Sequence, residues 1–292
     1  MWKFLITAVL LAVVTAGAIL AGQQMQAGPQ ATQMTEMSCS YRSGLAQVEA
    51  CTTLIEGSAD REDLDDETLA TYYLNRANGH ASIRDYDSAL ADYDEAIRYY
   101  PDEFLNYYNR ARVFRMIGDY DAALEDHARA IAQDEEEPAA YTQRAQTLYL
   151  AKRYEESLPD LETALEMEPD NAATLNSMAW TLVTLKRAED ALPYAERALE
   201  NDNEEASGSL DTYAHILAEL GRSDEAVDYF EKAARVGGNG YVRQIQNALI
   251  HHGLLDAVPT GVFDLATREA VRACAQSNCR LLIGIDVEMA EQ

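Results

Sequence analysis

Apolar and polar positions follow a helical period in short blocks along this chain, and the blocks themselves recur. YDSALADYDEAI at 86–97, YDAALEDHARAI at 120–131 and YEESLPDLETAL at 154–165 are each displaced by 34 residues. Apolar side chains three and four apart within a block predict an amphipathic helix with one buried face. Upstream of each block lies a second periodic run, YYLNRANGH from Tyr72, YYNRARVF from Tyr107 and YTQRAQTLY from Tyr141. Every unit is therefore expected to be two helices joined by a tight turn, which Arg84-Asp85 and Gly118-Asp119 mark. Small residues recur where such helices must cross closely. Ala77, Ala111, Ala145 and Ala179 stand in the first helix, and Ala89, Ala123, Ser157 and Ala191 in the second. A larger side chain there would force the helices apart.

Over residues 68–236 this period and small/large pattern resembles the tetratricopeptide-repeat (TPR) family, with Pro101 and Pro169 closing two of the units. A fourth unit begins near Ala172, and a fifth, offset by one extra residue, near Ala206. The resemblance implies an all-α fold, a right-handed α-solenoid of about five TPR helix hairpins followed by a small helical module. Residues 39–67 are expected to cap the start of the stack, because a terminal unit must present one face to water. Within them GLAQVEACTTLIEG at 44–57 reads as an unpaired second helix, with Cys51 at the position of Tyr93 and His127.

Arg76, Arg110 and Arg144 share one first-helix position, and Asp92, Asp126 and Asp160 each follow sixteen residues later. In units four and five both partners vanish together, replaced by Met178 with Tyr194 and Tyr213 with Tyr229. This covariation within the chain implies a structural Arg–Asp ion pair across each of the first three hairpins, so that Arg110→Ala should destabilise by stranding Asp126. In TPR-like stacks the first helices line a concave surface used for binding. The candidate partner-binding residues there are Asn75, Asn78, Tyr108, Asn109, Arg112, Arg115, Gln143, Gln146, Tyr149 and Trp180. Amides can satisfy the backbone of an extended peptide, and Tyr, Trp and Arg are favoured at binding hot spots. Some family members clamp a terminal carboxylate with a Lys/Asn set. Leu74 stands where the first Lys is needed, so that mode is not expected.

Past GGNG at 237–240 the repeat stops, and two short helices joined by a turn-rich loop are expected. Ile245-Gln246, Ala248-Leu249, Gly253-Leu254, Gly261, Phe263, Thr267 and Ala270-Val271 are similar to half of a peptidoglycan-binding-like domain, from which Thr260 and Asp264 depart. The segment 241–292 is expected either to touch the cell wall or to cap the stack. Asp264 is placed to cap the helix that begins beside it.

The apolar run from Phe4 to Ala21 reads as a targeting segment over residues 1–21, cleaved after Ala18 or Ala21 or retained as an anchor, with a flexible linker over 22–38. Such a leader suits the periplasm or cell envelope, and there the four cysteines are expected to form two local disulfides, Cys39 with Cys51 and Cys274 with Cys279. The formal charge of −27 repels nucleic-acid phosphates and suits a protein or peptide ligand that is basic, although surplus acid also serves plain solubility. No catalytic motif, cofactor or metal site is expected: GxSxG, HExxH and a Walker loop are all missing, and His251-His252 has no convergent ligands nearby. The sequence thus points to a non-catalytic scaffold or adaptor of the bacterial envelope. The alternative is a cell-wall-associated structural protein that binds peptidoglycan through its C-terminal module.

Overall fold

The structure is a computed structural model and describes residues 29–58, 64–202, 206–277, 279 and 281. The expected leader over 1–21, the linker residues before 29 and the tail beyond 281 lie outside the described residues. Thirteen helices and no strand occur among the described residues: α1 (Pro29–Tyr41), α2 (Leu45–Gly57), α3 (Asp66–Ser82), α4 (Tyr86–Tyr99), α5 (Phe104–Met116), α6 (Tyr120–Gln133), α7 (Pro138–Leu150), α8 (Tyr154–Met167), α9 (Ala172–Thr184), α10 (Ala188–Asn201), α11 (Ser207–Glu219), α12 (Ser223–His251) and α13 (Leu265–Ser277). They divide into two compact units, one up to Val113 and one from Phe114 onward.

Each hairpin turn obeys one local rule. Arg84, Gly118, Lys152, Lys186 and Gly221, at a single repeat position, all adopt the left-handed conformation with φ between 60° and 82°. The next residue's N–H then reaches back five positions: Asp85 to His80 O, Asp119 to Phe114 O, Arg153 to Leu148 O, Arg187 to Leu182 O and Arg222 to Leu217 O. This pattern satisfies the carbonyls orphaned at the end of the first helix. The second helix is started differently along the chain. Asp85 and Asp119 accept from the backbone N–H of Ser88 and Ala122. The arginines that replace them instead reach an acid three residues on, Arg153 to Glu156, Arg187 to Asp190 and Arg222 to Glu225. Those acids lie in the first helical turn, where negative charge meets the positive end of the helix dipole.

In the first unit, α3 and α4 form a hairpin closed by Leu74, Ala77, Ala81, Ala89, Tyr93 and Ala96, with Val113 of α5 in the same cluster. α1 and α2 form another, tied by the Cys39–Cys51 disulfide and packed with Leu54 and Tyr72. Two expectations are corrected here. Residues 29–38, expected as flexible linker, are helical, and α2 is paired with α1. The sequence PQATQMTEMSCSY carries no apolar stripe of helical period. Its contacts are made by single residues: Cys39 is fully buried, Gln47 donates to the Cys39 carbonyl, and Tyr72 donates to Glu36.

The second unit stacks the hairpins α7/α8, α9/α10 and α11/α12, with α6 beside α7 and α9 lying beside both α7 and α11. Its core is continuous from Leu161 and Met178 through Leu210, Leu217 and Phe230 to Ile245, Leu249, Val271 and Leu281. α12 breaks at Gly238, whose φ is 67°, so the expected end of the repeat at 237–240 is a kink between two helical halves. The second half of α12 and α13 pack on the last hairpin. Tyr241 donates to Asp211 of α11, while Arg268 reaches Asp228 and Glu231, and Arg272 reaches Asp224, all on the first half of α12. Inside this module the amide of Gln246, almost fully buried, gathers the loop: it donates to Thr260, the Val262 carbonyl and Thr267, and accepts from the Gly261 N–H. Asp264 accepts from the N–H and hydroxyl of Thr267 and caps α13. Cys274 and Cys279 are bonded at its end.

Candidate functional site

The candidate binding residues sit on the first helices, and many are half-exposed because the small residues beside them turn inward. Ala77, Ala111, Ala145, Ala179 and Ala214 are all at most 1% exposed. The arginines of the ion pairs lie on the same helices, and their aspartates on the second helices. Arg76 holds Asp92 in a two-pronged hydrogen bond of 2.8 and 2.7 Å, and Arg144 holds Asp160 at 2.7 and 2.6 Å. Both aspartates are 6% exposed, so each buried carboxylate depends on its arginine. Arg110, in the first unit, donates to Asp94 at 2.5 Å. Asp126 is buried in the second unit. Where the pair is lost, apolar packing takes its place: Met178 is buried, and the rings of Tyr213 and Tyr229 meet edge to face at 4.6 Å.

In the first unit the candidates are Asn75 and Asn78 on α3 and Tyr108, Asn109 and Arg112 on α5. Tyr108, Asn109 and Arg112 fall on one face of α5, three and four residues apart. Tyr108 stacks on Phe104 at 5.2 Å. Asn78 Oδ1 accepts a 2.7 Å bond from the hydroxyl of Tyr93, a fully buried side chain of α4. Burial pushes that hydroxyl well above the usual tyrosine range, against the pull of the Arg112 charge. Arg112 itself is exposed.

In the second unit Arg115 donates to Gln146 of α7 at 2.9 Å. Trp180 of α9 donates its indole N–H to the hydroxyl of Tyr149 at 2.7 Å, and that hydroxyl shares a 3.3 Å bond with Thr184. The structure adds residues that sequence reasoning missed. His215 of α11 lies edge-on to Trp180 at 5.2 Å, and Asn176 of α9 keeps its buried Oδ1 without a partner among the described residues. His215 occupies the repeat position of Gln146 and Trp180, but the extra residue before the fifth unit shifts it to 35 instead of 34 and hides the register. Gln143, half-exposed, completes the row on α7. The polar groups here include amides, hydroxyls and aromatic edges, all able to meet peptide groups.

Charge is sorted between the two helix sets. The first helices α3, α5, α7, α9 and α11 carry five Arg and four acidic residues, whereas α4, α6, α8, α10 and residues 223–237 of α12 carry twenty acidic and five basic residues. The acidity that suggested a basic ligand therefore lies mainly on the second helices. No group of three or more His, Cys, Asp or Glu side chains that could hold a metal occurs among the described residues, and His251 and His252 are exposed. No described helix is long and apolar enough to cross a membrane.

Family models described as tetratricopeptide repeat match residues 74–138, 136–204 and 208–236. No curated protein matches the chain. Among solved structures it is similar to YrrB, a TPR protein with an unusual peptide-binding site, at 21% identity over 65% of this chain and 93% of YrrB, with a TM-score of 0.50. It is also similar to MamA, at 16% identity over 65% and 98% of the two chains, with a TM-score of 0.51. For MamA 41-end from Desulfovibrio magneticus RS-1 the identity is 17% over 57% and 94%, with a TM-score of 0.53. At these identities the likeness is one of fold.

Proposed function

This chain is built of tetratricopeptide repeats, and from that premise we propose that it is a non-catalytic scaffold that holds a peptide segment of another protein on the first-helix surfaces of its units. The observation that carries this is the composition of those surfaces: half-exposed Asn75, Asn109, Gln143 and Gln146 beside Tyr108, Tyr149 and Trp180. Amides offer both a donor and an acceptor to an extended backbone, and the aromatics offer area at low entropic cost. That YrrB, of the same fold, has a peptide-binding site supports the reading. The scaffold acts outside the cytoplasm, a placement supported by the apolar run at 4–21 and by two disulfides. The C-terminal module serves as the cap of the stack, a reading supported by Tyr241, Arg268 and Arg272, which reach the last hairpin, and by Gln246, which binds the module's own loop.

The test is photo-crosslinking in the producing cells from the full chain. A photoreactive side chain is placed at Asn75, Asn109, Gln143 or Ser177 on the first helices, or at exposed Glu125, Glu162 or Glu196 on the second. Adducts to one protein from the first set alone are expected. Equal adducts from both sets, or none from the first, would sink the proposal.

A further inference from the structure

Four carboxylates stand on the first helices, and three are accounted for. Asp66 and Glu67 lie in the first turn of α3, where the helix dipole favours them, and Glu219 pairs with Lys186 at 2.5 Å. Asp211 of α11 has no arginine or lysine partner among the described residues, although its side chain is only 13% exposed. Its Oδ1 accepts from the Tyr241 hydroxyl, which burial and the Asp211 charge push well above the usual tyrosine range and so keep as a donor. Its Oδ2 lies 3.4 Å from His215 Nδ1, but that nitrogen has a closer acceptor in the Asp211 carbonyl oxygen at 2.9 Å. The His215 ring in turn meets Trp180 edge-on at 5.2 Å. Asp211 and His215, one turn apart on α11, are thereby set beside Asn176 and Trp180, at the same two repeat positions of α9. Asn176 keeps a buried Oδ1 to which no described group donates. Earlier units carry Leu74, Tyr108, Thr142 and Asn176 at the position of Asp211, so a carboxylate there is particular to the fifth.

Resting on the peptide-scaffold reading, we propose that the partner segment carries a lysine or arginine side chain that docks on Asp211, beside the Trp180 ring and the Asn176 oxygen. A carboxylate withdrawn from water without a cation costs free energy, and a cation delivered by the ligand recovers it. Asp211 Oδ2 and Asn176 Oδ1 can only accept, which matches the donor-only chemistry of an ammonium or guanidinium group. The face of an indole adds attraction for a positive charge, and the Tyr149 hydroxyl, which accepts from the Trp180 N–H, holds that indole in place. The acidic second helices draw basic segments towards the chain in general, whereas Asp211 selects where along the segment the basic residue must stand.

The experiment is selection of randomised ten-residue peptides on the immobilised full chain at about 0.15 M salt, with the peptides displayed through their N-termini so that no free terminal amine is offered. Beside the parent stand Asp211→Asn, which keeps an acceptor for Tyr241 and removes only the charge, and Glu162→Gln, which removes one exposed acid of α8. Peptides retained by the parent and by Glu162→Gln should share a Lys or Arg at a set place relative to their other common residues. Asp211→Asn should lose that preference. For the best peptide, Asp211→Asn should weaken binding about five- to tenfold. Exchanging the peptide's basic residue for Gln should weaken binding to the parent by the same factor and leave binding to Asp211→Asn unchanged. The Asp211→Asn variant should also unfold at the same urea concentration as the parent or at a higher one. A basic preference that survives Asp211→Asn, or retained peptides without one, overturns the assignment of Asp211 and leaves the scaffold intact. A fall in the urea midpoint does the same, since it would make Asp211 a support for Tyr241. Retention of no peptide by the parent overturns both.

Discussion

At the scale of single residues the Arg–Asp pairs and one histidine decide how stable the repeats are. The pairs were legible because Arg and Asp recur and disappear together sixteen residues apart, a spacing the hairpin geometry turns into contact. Arg144→Ala leaves the buried Asp160 carboxylate without its partner and should cost about 3 kcal/mol in urea unfolding. Replacing both with the pair that unit four uses, Arg144→Met with Asp160→Tyr, should recover most of that loss. A double variant as unstable as the single one would show that the ion pair is more than a packing choice. His127 was not singled out, because a lone His in a helical run carries no pattern. It is fully buried in the repeat position of Tyr93 and Leu161, 3.1 Å from the Thr147 hydroxyl. Burial, with the charges of Arg115 and Arg144 nearby, pushes its imidazole down to about 3. Its folded pKa is below the unfolded value, so the unfolded chain binds the proton first as pH falls. Stability is then lost progressively from about pH 6.5 towards pH 3, by about 2 kcal/mol between pH 7 and pH 5. His127→Leu, which copies unit three, should flatten the thermal midpoint against pH in that window; an unchanged slope would place the proton uptake elsewhere.

At the scale of elements the turns carry the repeat. A left-handed residue followed by a helix start is required five times, and glycine is used at only two of them, Gly118 and Gly221. An added Cβ at Gly118 would touch nothing within 4 Å, so Gly118→Ala should cost only backbone strain, about 1 kcal/mol. At Gly261, with φ of 76°, the same methyl would lie 2.9 Å from the Asn239 carbonyl oxygen. Gly261→Ala should therefore cost roughly 2–3 kcal/mol, since strain and overpacking add. Chemical denaturation of the two variants gives the difference, and equal losses would mean that the loop around Gln246 yields. The turns were readable from Gly118-Asp119 and Arg84-Asp85. α1 was not, because helix α1 is held by a disulfide and isolated buried residues, and those contacts leave no period in the sequence.

At the scale of the whole molecule, the 34-residue period determined by itself the fold class and the five repeat units. It could do so because a solenoid repeats one local packing problem, and each answer is written within a few dozen residues. The net charge was equally plain in composition, and the helices add where it lies, on an acidic second set beside a nearly neutral first. What the tertiary structure alone decided is non-periodic and long-range. The pairing of α1 with α2 and the docking of residues 239–277 on the last hairpin each depend on residues 8 to 48 positions apart that meet once, and a contact made once leaves no recurrence for a sequence to show.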